Sequence, residues 1–303
     1  MRRPAAVATL PEEPGVYRFR GENGRVLYLG RALNLRRRVA SYWGGLGDRR
    51  HLARMVAAVA RVEAIVCASE HEAAWAERNF LERSLPRWNR TKGGQESPVY
   101  LVLDTSTTAP GLTLAHEPGT RADLRLFGPY LGGNKLRLAV SALHRVFPLH
   151  YAGTRLSGAG REMGRLRQVG VDNRADLAAA IVAVLERDPA AATALGDELA
   201  RRRDEAARVE AFELAGRLHE EIAAIAWLVA VQRATTMATP DVAFSGWSDG
   251  IALRFDVRAG RLSGWRQMPC AKAGSGVSGP PGWAEFARRN AALAAVLARH
   301  PLR

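Results

Sequence analysis

Four side chains in the first third of the chain could together hydrolyse a phosphodiester bond: Tyr17, Tyr28, Arg38 and Glu77. A carboxylate can hold a divalent cation, which stabilises the negative charge on a leaving oxygen. A guanidinium can neutralise the charge that develops on a phosphate, and a tyrosine near other cations can accept a proton from water. These side chains can act together only if the predicted strands and helices place them on surfaces that face each other.

The two tyrosines lie on a predicted β-hairpin. Residues 15–20 and 25–30 are short β-type runs, and the intervening sequence GENG is a strong turn signal. With all four of these residues in the loop, Tyr17 lies opposite Tyr28; with only the Asn-Gly pair in the turn, the tyrosines become diagonal neighbours. Both registers place them on one face, because side chains alternate along a strand. Taken alone, this placement is better explained by an ordinary aromatic cross-strand pair.

Arg38 lies on the apolar stripe of a predicted helix from Asn34 to Trp43, with Asn34 as its N-cap. Leu35, Val39 and Tyr42 share the stripe at helical spacing. A guanidinium on an inward stripe needs a partner there, which could be a structural carboxylate or a phosphate that enters a cleft.

Glu77 lies on the apolar side of another predicted helix, which starts at Ser69 and ends before Pro86. Ser69 and Glu72 have the spacing of a capping box. A carboxylate turned toward a core is costly unless it is paired or binds a cation. The alternatives are therefore a salt bridge to Arg38 or a similar group, or a metal ion.

The charge of the chain favours a polyanionic partner. The 303 residues contain 44 Lys+Arg against 30 Asp+Glu, for a formal net charge of +14. Nucleic acid is the first candidate and an anionic membrane surface the second. Only three of the basic residues are lysines, so part of the arginine excess could instead reflect coding bias.

Cysteine usage and hydropathy indicate the compartment. Two cysteines, Cys67 and Cys270, are too few for a disulfide scaffold or a metal cluster, which predicts a reducing, cytoplasmic setting. No signal peptide follows Arg2 and Arg3, and no stretch approaches the roughly 20 apolar residues of a spanning helix. No membrane partner is expected.

Several short motifs, which follow one another in a fixed order along the chain, resemble those of a known nuclease family. Gly15-Val16-Tyr17 and Tyr28-Leu29-Gly30 resemble the paired motifs that name the GIY-YIG family, and residues 1–92 as a whole resemble the N-terminal nuclease domain of the UvrC and Cho proteins. The stretches that carry the wider match are Leu10 to Tyr17, Val26 to Ala32, Asn34 to Arg38 with Ser41-Tyr42, Glu77 to Asn79, and Pro86 to Asn89.

The resemblance implies a role for each matching residue. Glu77 corresponds to the carboxylate that binds one Mg²⁺ or Mn²⁺ ion, Tyr17 to the general base, and Arg38 to the group that stabilises the transition state. Tyr28 would position water or phosphate, and Tyr42 and Asn89 would support the site. Arg31 stands where UvrC proteins typically have lysine, so it keeps the charge but not the compact ammonium. The expected DNA-binding residues are Arg31, Arg36, Arg37 and Arg38.

Later segments resemble further parts of UvrC. Residues 127–130 and 143–149 resemble the segment after the nuclease domain, where cysteines of UvrC bind an iron–sulfur cluster. Residues 150–155 contain no cysteine, so no iron–sulfur cluster is expected. Residues 211–222 resemble the UVR motif, a helical hairpin that binds the UvrB helicase, although a generic amphipathic helix is the alternative. The implied partner-binding residues are Phe212, Glu213, Ala215, Leu218 and Ile222.

The last part of the sequence, from residue 241 onward, favours a protein with one active site. Residues 241–268 predict a hairpin about Ala259-Gly260 and faintly resemble the edge of the second, RNase H-like nuclease domain of UvrC. The catalytic segments of that domain and the helix-hairpin-helix tail are not found in the sequence. This pattern is expected of Cho-like proteins, which incise only on the 3′ side of a lesion.

The predicted fold class is α+β. A small GIY-YIG nuclease domain, with a short antiparallel sheet flanked by helices, precedes a mainly helical region with a UVR-like helical hairpin, followed by a C-terminal β-hairpin and helix. The predicted boundaries are 1–98, 99–195, 196–235 and 240–303. Within them, residues 127–130 are predicted to form a turn, residues 151–170 a loop rich in Gly and Arg, and residues 196–232 a long charged helical segment or helical pair.

The predicted function is a metal-dependent, structure-specific DNA endonuclease that makes one single-strand incision in nucleotide excision repair. Its expected partners are damaged duplex DNA and a UvrB-type helicase. Two rival functions are a module that binds DNA or UvrB without cutting, and a GIY-YIG nuclease with a non-repair role.

Overall fold

A computed structural model describes residues 4–44, 51–93, 96–117, 124–236, 240–271 and 282–300. The chain forms two compact units: one contains residues 1–95 together with 231–303, and the other contains residues 96–230. The first unit thus combines the N-terminal domain with the C-terminal segment, which the sequence analysis treated separately.

The sheet that carries the two tyrosines has three antiparallel strands. They are β1 (Gly15–Arg20), β2 (Val26–Ala32) and β3 (Arg61–Val66), in the order β2-β1-β3. The central strand β1 is buried along almost its whole length, and Tyr17 and Phe19 have no exposed surface. Because side chains alternate, these two aromatic residues share one face, and Arg18 lies on the other.

Helices cover this sheet. They are α1 (Ala5–Ala8), α2 (Leu35–Ala40), α3 (Ala53–Ala57) and α4 (Glu70–Arg83). The α2 helix begins where predicted, because the Asn34 side chain accepts a hydrogen bond from the Arg37 backbone N–H at 2.8 Å. It is shorter than the predicted helix, and a turn follows it over residues 41–43.

The predicted cap of α4 forms in part. The Ser69 hydroxyl accepts a hydrogen bond from the Glu72 backbone N–H at 3.0 Å. The Glu72 carboxylate accepts from the Ala68 N–H, at 2.6 Å, instead of making the reciprocal bond of a capping box. Its other oxygen accepts from Arg233, so this carboxylate also fixes a segment from the end of the chain.

The C-terminal part of the first unit is a sheet covered by one helix. Its antiparallel strands are β7 (Val242–Ser248), β8 (Ile251–Arg258) and β9 (Arg261–Pro269), in that order, and α10 (Trp283–Ala298) follows. The predicted hairpin about residues 259–260 is confirmed, and β7 adds a strand to it. Asn290 of α10 bonds the backbone N–H and C=O of Val66, at 2.7 and 3.1 Å, which joins this helix to β3.

The second unit has a sheet and five helices among the described residues. The strands are β4 (Val99–Asp104), β5 (Gly111–Ala115) and β6 (Leu124–Tyr130), in the order β5-β4-β6. The helices are α5 (Gly133–Val146), α6 (Gly158–Leu166), α7 (Arg174–Leu185), α8 (Pro189–Arg208) and α9 (Phe212–Val229). Side chains of the sheet, α5 and α7 to α9 form one apolar core.

Two local predictions in this unit are wrong. Phe127–Tyr130 was predicted as a turn but ends strand β6, which lies at an edge of the sheet, where proline is tolerated. The predicted loop over residues 151–170 contains α6, whose start is capped by the Ser157 side chain. Residues 196–232 were predicted as a long charged helical segment or a helical pair, and the second alternative is correct: they belong to two helices, α8 and α9.

These antiparallel sheets and helices confirm the α+β class. Among the described residues, no helix combines the length and the apolarity that crossing a membrane requires.

Candidate active site

The register of β1 and β2 places the two tyrosines diagonally. Tyr17 pairs with Gly30 and Phe19 pairs with Tyr28, and a bulge follows before Arg20. From Gly15 to Phe19, the correct register is therefore the one predicted for a turn made by the Asn-Gly pair alone, in which the two tyrosines are diagonal neighbours. The ring centroids of Tyr17 and Tyr28 lie 6.3 Å apart, so the aromatic cluster that the hairpin predicts is present.

Two glycines of the paired motifs are required by space. A Cβ on Gly30 would lie 2.7 Å from the Tyr17 hydroxyl oxygen, so any larger residue would displace that ring. A Cβ on Gly15 would lie 2.2 Å from the carbonyl oxygen of Ile65 and would push β1 away from β3. Both glycines thus let neighbouring groups approach closely.

Helix α2 brings a cation and a third tyrosine to the same face. The Tyr17 hydroxyl lies 2.8 Å from the Tyr42 hydroxyl, and Arg38 Nε donates to the Tyr17 oxygen at 3.4 Å. The Arg38 guanidinium also lies 5.7 Å from the centroid of the Tyr42 ring. Tyr28 completes the cluster, with its ring centroid 6.0 Å from that of Tyr42. The inward stripe predicted for α2 is therefore the stripe that reaches these hydroxyls.

Burial dominates the electrostatics of the cluster. Burial raises the pKa of Tyr17 well above its usual value, and the neighbouring Tyr42 and Tyr28 raise it further. Burial also raises the pKa of Tyr28, and the neighbouring Tyr42 hydroxyl and Glu77 carboxylate raise it further. For Arg38, burial alone would lower the pKa, but the surrounding tyrosine hydroxyls raise it, so the guanidinium stays a cation. Tyr17 and Tyr28 are thus protonated, and Arg38 is charged, at neutral pH.

Glu77 lies at the edge of this cluster and is paired with Arg31. Its Oε1 accepts a hydrogen bond from the Arg31 backbone N–H at 3.1 Å, and its Oε2 lies 3.4 Å from Arg31 Nε. The ion pair predicted as one alternative therefore forms, with Arg31 as the cation. The Glu77 side chain retains 22% of its exposure, so it is partly accessible to solvent.

These donors suit a hydrated divalent ion. No group of three or more His, Cys, Asp or Glu side chains that could hold a metal occurs in the described part of the chain. Magnesium keeps several water ligands and uses one or two carboxylates together with substrate phosphates. A partly exposed carboxylate such as Glu77, next to a cleft for a phosphate, fits this requirement.

Asn89 supports the site through the backbone. Its Oδ1 accepts a hydrogen bond from the Leu29 N–H at 3.0 Å, and its Nδ2 donates to the Leu29 carbonyl at 2.8 Å. Each such bond contributes about 1 kcal/mol. Because Leu29 follows Tyr28 on β2, Asn89 fixes the strand that carries the tyrosine.

A cleft of about 530 Å³ adjoins the site. Three arginines, Arg31, Arg37 and Arg38, line it, together with Leu33 and Glu70. Within the described residues, the Arg37 side chain makes no hydrogen bond or ion pair, and Arg37 also lines a second cleft beside α2. Arg36 is different: its guanidinium donates to the Leu10 carbonyl and to Glu12, each at 2.7 Å.

Comparison with known families now identifies the domain. Residues 13–90 match the family model described as the UvrC-like GIY-YIG domain. The chain carries a UvrC-like GIY-YIG nuclease domain. All seven predicted catalytic residues fall within the matched range: Tyr17, Tyr28, Arg31, Arg38, Tyr42, Glu77 and Asn89.

Relatives with a curated name extend the similarity along the chain. The chain is 41% identical over 146 residues to the UvrABC system protein C of Geobacter metallireducens, a match that covers 47% of this chain and 24% of that protein. It is 29% identical over 291 residues to the UvrABC system protein C of Corynebacterium aurimucosum, covering 90% of this chain and 42% of that protein. The chain thus spans less than half the length of these relatives.

Solved structures of the GIY-YIG domain are also similar. The N-terminal endonuclease domain of UvrC from Thermotoga maritima, bound to magnesium, is 32% identical with a TM-score of 0.26, over 28% of this chain and 91% of that domain. A point mutant of the same domain matches with 30% identity and the same TM-score and coverage.

The predicted partner-binding residues lie outside the GIY-YIG domain, on α9, and do not share one environment. Phe212 is 68% exposed and Glu213 is also exposed. Leu218 is 1% exposed and belongs to the core of the second unit, against which Ala215 and Ile222 also pack. The apolar stripe of α9 therefore serves mainly its own unit, and of the five predicted residues only Phe212 and Glu213, at the start of the helix, are exposed.

Sequence reasoning missed two residues near the GIY-YIG site. Phe19 packs within the tyrosine cluster, with its ring centroid 5.4 Å from that of Tyr17, and the alternation of β1 could have found it. Leu33 lines the cleft although it is 63% exposed, and an apolar residue beside Asn34 at a predicted helix start was the available signal.

Proposed function

We propose that this chain is a metal-dependent, structure-specific DNA endonuclease that makes a single-strand incision on the 3′ side of a lesion in nucleotide excision repair. The observation that carries the proposal is the convergence of three tyrosine hydroxyls, the Arg38 guanidinium and the Glu77 carboxylate beside an arginine-lined cleft. This set supplies the groups that phosphodiester hydrolysis needs.

Glu77 would hold one Mg²⁺ or Mn²⁺ ion. When bound, such an ion supplies positive charge next to the departing oxygen and offsets the carboxylate charge that raises the Tyr28 pKa. Arg38, fixed by Tyr17 and still a cation, would neutralise the charge that develops on the phosphate. Arg31 would orient the carboxylate through its backbone N–H.

Exposure supports Tyr28, in place of Tyr17, as the residue that accepts the proton from water. Because this phenol is neutral in the free protein, it would first release its own proton to solvent, a loss that the positive charge of a cation at Glu77 would favour. A general base must reach the attacking water directly or through one bridging molecule. Tyr17 has no exposed surface and its hydroxyl is engaged by Tyr42 and Arg38, whereas Tyr28 is partly exposed. Tyr17 would then hold Arg38 and Tyr42 in position.

The repair role rests on the relatives. They are named UvrABC system protein C, and one of them matches 90% of this chain. We infer that damaged duplex DNA is the substrate and that a UvrB-type helicase binds the exposed start of α9, at Phe212 and Glu213. The single incision, as in Cho, belongs to the same proposal.

We also propose that the protein holds no iron–sulfur cluster. Such clusters are ligated by about four cysteines. The sequence contains two, and Cys67 is buried in the first unit. Elemental analysis of the purified protein should find no stoichiometric iron, and an absorbance band at about 400 nm with iron present would contradict this.

The deciding experiment is Glu77→Ala, assayed on a duplex that contains one bulky adduct, with Mg²⁺ and with and without a UvrB-type helicase. We expect incision to be abolished while DNA binding is retained, since Glu77 does not line the cleft and its replacement leaves the three arginines of that cleft in place. Glu82→Ala is the matched control, because Glu82 lies on the same helix and pairs with Arg78 and Arg261 away from the tyrosines.

The outcomes separate the rival functions. If the wild-type protein binds the adduct duplex without cutting at any Mg²⁺ or Mn²⁺ concentration, it is a binding module. Cutting of undamaged DNA at a fixed sequence would support a non-repair nuclease. Equal incision by wild type and Glu77→Ala would remove Glu77 from the mechanism.

A further inference from the structure

Leu33 is the most exposed large apolar side chain near the proposed active site. It is 63% exposed and lines the 530 Å³ cleft that also contains Arg31, Arg37 and Arg38. A single exposed leucine is unremarkable by itself. Here the leucine lines a cleft in which three arginines outnumber the one carboxylate, Glu70.

The backbone holds Leu33 rigidly. It occupies a two-residue connection between β2 and α2, and both flanking residues are fixed. Ala32 ends β2 and is 8% exposed, and Asn34 caps α2 through its bond to the Arg37 N–H. Leu35, the first residue of α2, is completely buried. An apolar side chain on such a support keeps its position when a ligand presses against it.

The charges of the cleft identify the occupant as a polyanion. Among its lining residues, three arginines face one carboxylate, Glu70. The Arg37 guanidinium makes no hydrogen bond or ion pair with another described residue, which suits a side chain that binds a phosphate. An apolar protein partner would be expected to avoid such a rim, whereas DNA offers phosphates to the arginines and stacked bases to the leucine.

We propose that Leu33 acts as a wedge, which inserts between two neighbouring bases of the bound DNA beside the phosphate to be cut. Proteins that bend or open DNA insert leucine, phenylalanine or methionine between base steps in this way, next to basic side chains that hold the backbone. The unstacking displaces the strand toward the arginines of the cleft. This inference rests on the proposed nuclease function and adds a residue that selects deformable or damaged sites.

Damaged sites are the natural substrate of such a wedge. Separating two stacked bases costs free energy, and the cost is lowest where the stack is already disturbed. Leu33 would therefore favour incision at a step that is easily opened. Leu33→Ala should lower the incision rate on all substrates, and the loss should be largest where the cut lies in regular, well-stacked DNA.

The test uses the full-length protein and an adduct duplex in which 2-aminopurine replaces a base next to the mapped cut. The fluorescence of 2-aminopurine rises when it unstacks. We expect the wild type and Glu77→Ala to raise the fluorescence on binding, and Leu33→Ala to abolish this rise. Leu33→Ala should also lower the incision rate at least about tenfold, because a tenfold change corresponds to only part of the free energy needed to unstack two bases. Leu33→Met should restore both signals.

Leu166→Ala is the matched control, because Leu166 is 70% exposed and lies on α6 of the second unit. It should leave both signals unchanged. If Leu33→Ala cuts within about twofold of the wild type and raises the fluorescence equally, the wedge is wrong while the nuclease assignment stands. If the wild type never cuts but, with 2-aminopurine placed in turn at each position near the adduct, raises the fluorescence in a way that Leu33→Ala abolishes, the nuclease assignment fails and the insertion of Leu33 stands. The absence of any fluorescence change with bound wild type overturns the wedge.

Discussion

At the scale of single residues, the contrast between Tyr17 and Tyr28 governs the chemistry. The two rings share a face of the sheet and differ in exposure, because Tyr17 lies on the central strand and Tyr28 on an edge strand. A buried phenol can orient its neighbours, and a partly exposed one can also exchange a proton with bound water.

This contrast predicts unequal effects for two conservative variants. Tyr28→Phe should lower the single-turnover incision rate by about 10²–10⁴-fold, the usual contribution of a general base. Tyr17→Phe should lower it less and should also destabilise the fold, because it removes the 2.8 Å contact to the Tyr42 hydroxyl in a buried site. Rate–pH profiles and urea unfolding of both variants measure this. If Tyr17→Phe loses more of the incision rate than Tyr28→Phe does, Tyr17 and not Tyr28 is the general base.

Arg36 and Arg37 provide a second test at this scale. Both were predicted to bind DNA, but Arg36 is held by Leu10 and Glu12, whereas Arg37 lines both clefts beside α2. Arg37→Ala should weaken DNA binding and reduce the slope of log affinity against log salt by about 1, the effect of one lost phosphate contact. Arg36→Ala should change this slope little. Titrations at several salt concentrations measure both, and equal slopes for the two variants would contradict the distinction.

Much of the candidate site could be predicted because periodicity fixes faces. Strand alternation placed Tyr17 and Tyr28 together, and helical spacing placed Arg38 inward. The pairing of Glu77 with Arg31 could not be predicted, since it depends on how α4 packs against β2. Exposure of the individual tyrosines depends on the same packing.

At the scale of elements, local signals worked where they named a specific hydrogen bond. The caps at Asn34 and Ser69 formed because each side chain can satisfy a free backbone N–H within its own turn. Composition was less reliable: the Gly- and Arg-rich stretch over 151–170 contains α6, since tertiary packing overrides weak helix propensity. The extra strand β7 was missed because its partner, β8, supplies the hydrogen bonds that define it.

The α9 helix allows a prediction that separates partner binding from folding. Phe212→Ala should weaken binding to a UvrB-type helicase and change the free energy of unfolding by no more than about 0.5 kcal/mol, as expected of an exposed residue. Leu218→Ala should instead cost about 2–5 kcal/mol, because Leu218 is buried in the core. Pull-down of the helicase and urea unfolding distinguish the two. Undiminished helicase binding by Phe212→Ala would remove α9 from the interface.

At the scale of the whole molecule, the first unit is closed by residues from both ends of the sequence. Arg18, on the face of β1 opposite the tyrosines, stacks 3.9 Å from the Trp265 ring centroid and donates to its carbonyl at 3.1 Å. Asn79 of α4 donates to the carbonyl of Ala234 at 2.8 Å. Contacts between residues so far apart in sequence leave no periodic pattern in the N-terminal or the C-terminal segment. The sequence analysis therefore predicted these two segments as separate domains.

The GIY-YIG domain should therefore depend on β9 for its stability. Trp265 is 2% exposed, stacks on Arg18 and packs against Phe80, whose ring centroid lies 4.8 Å away. Replacing it with alanine removes the apolar cover of a buried guanidinium, whose pKa burial already lowers to about 10. Trp265→Ala should lower the free energy of unfolding by about 3–5 kcal/mol.

The control for this change is Trp247→Ala on β7, because Trp247 is 36% exposed and makes one hydrogen bond, to the Cys270 carbonyl at 2.8 Å. Urea unfolding followed by circular dichroism compares the two variants, and hydrogen exchange of β1 amides reports on the sheet that carries Tyr17. Loss of β1 protection in Trp265→Ala, but not in Trp247→Ala, is expected, since Arg18 follows Tyr17 on that strand. Unchanged β1 protection in both would mean that the nuclease sheet is stable without its C-terminal cover, and residues 1–98 would then behave as an independent domain.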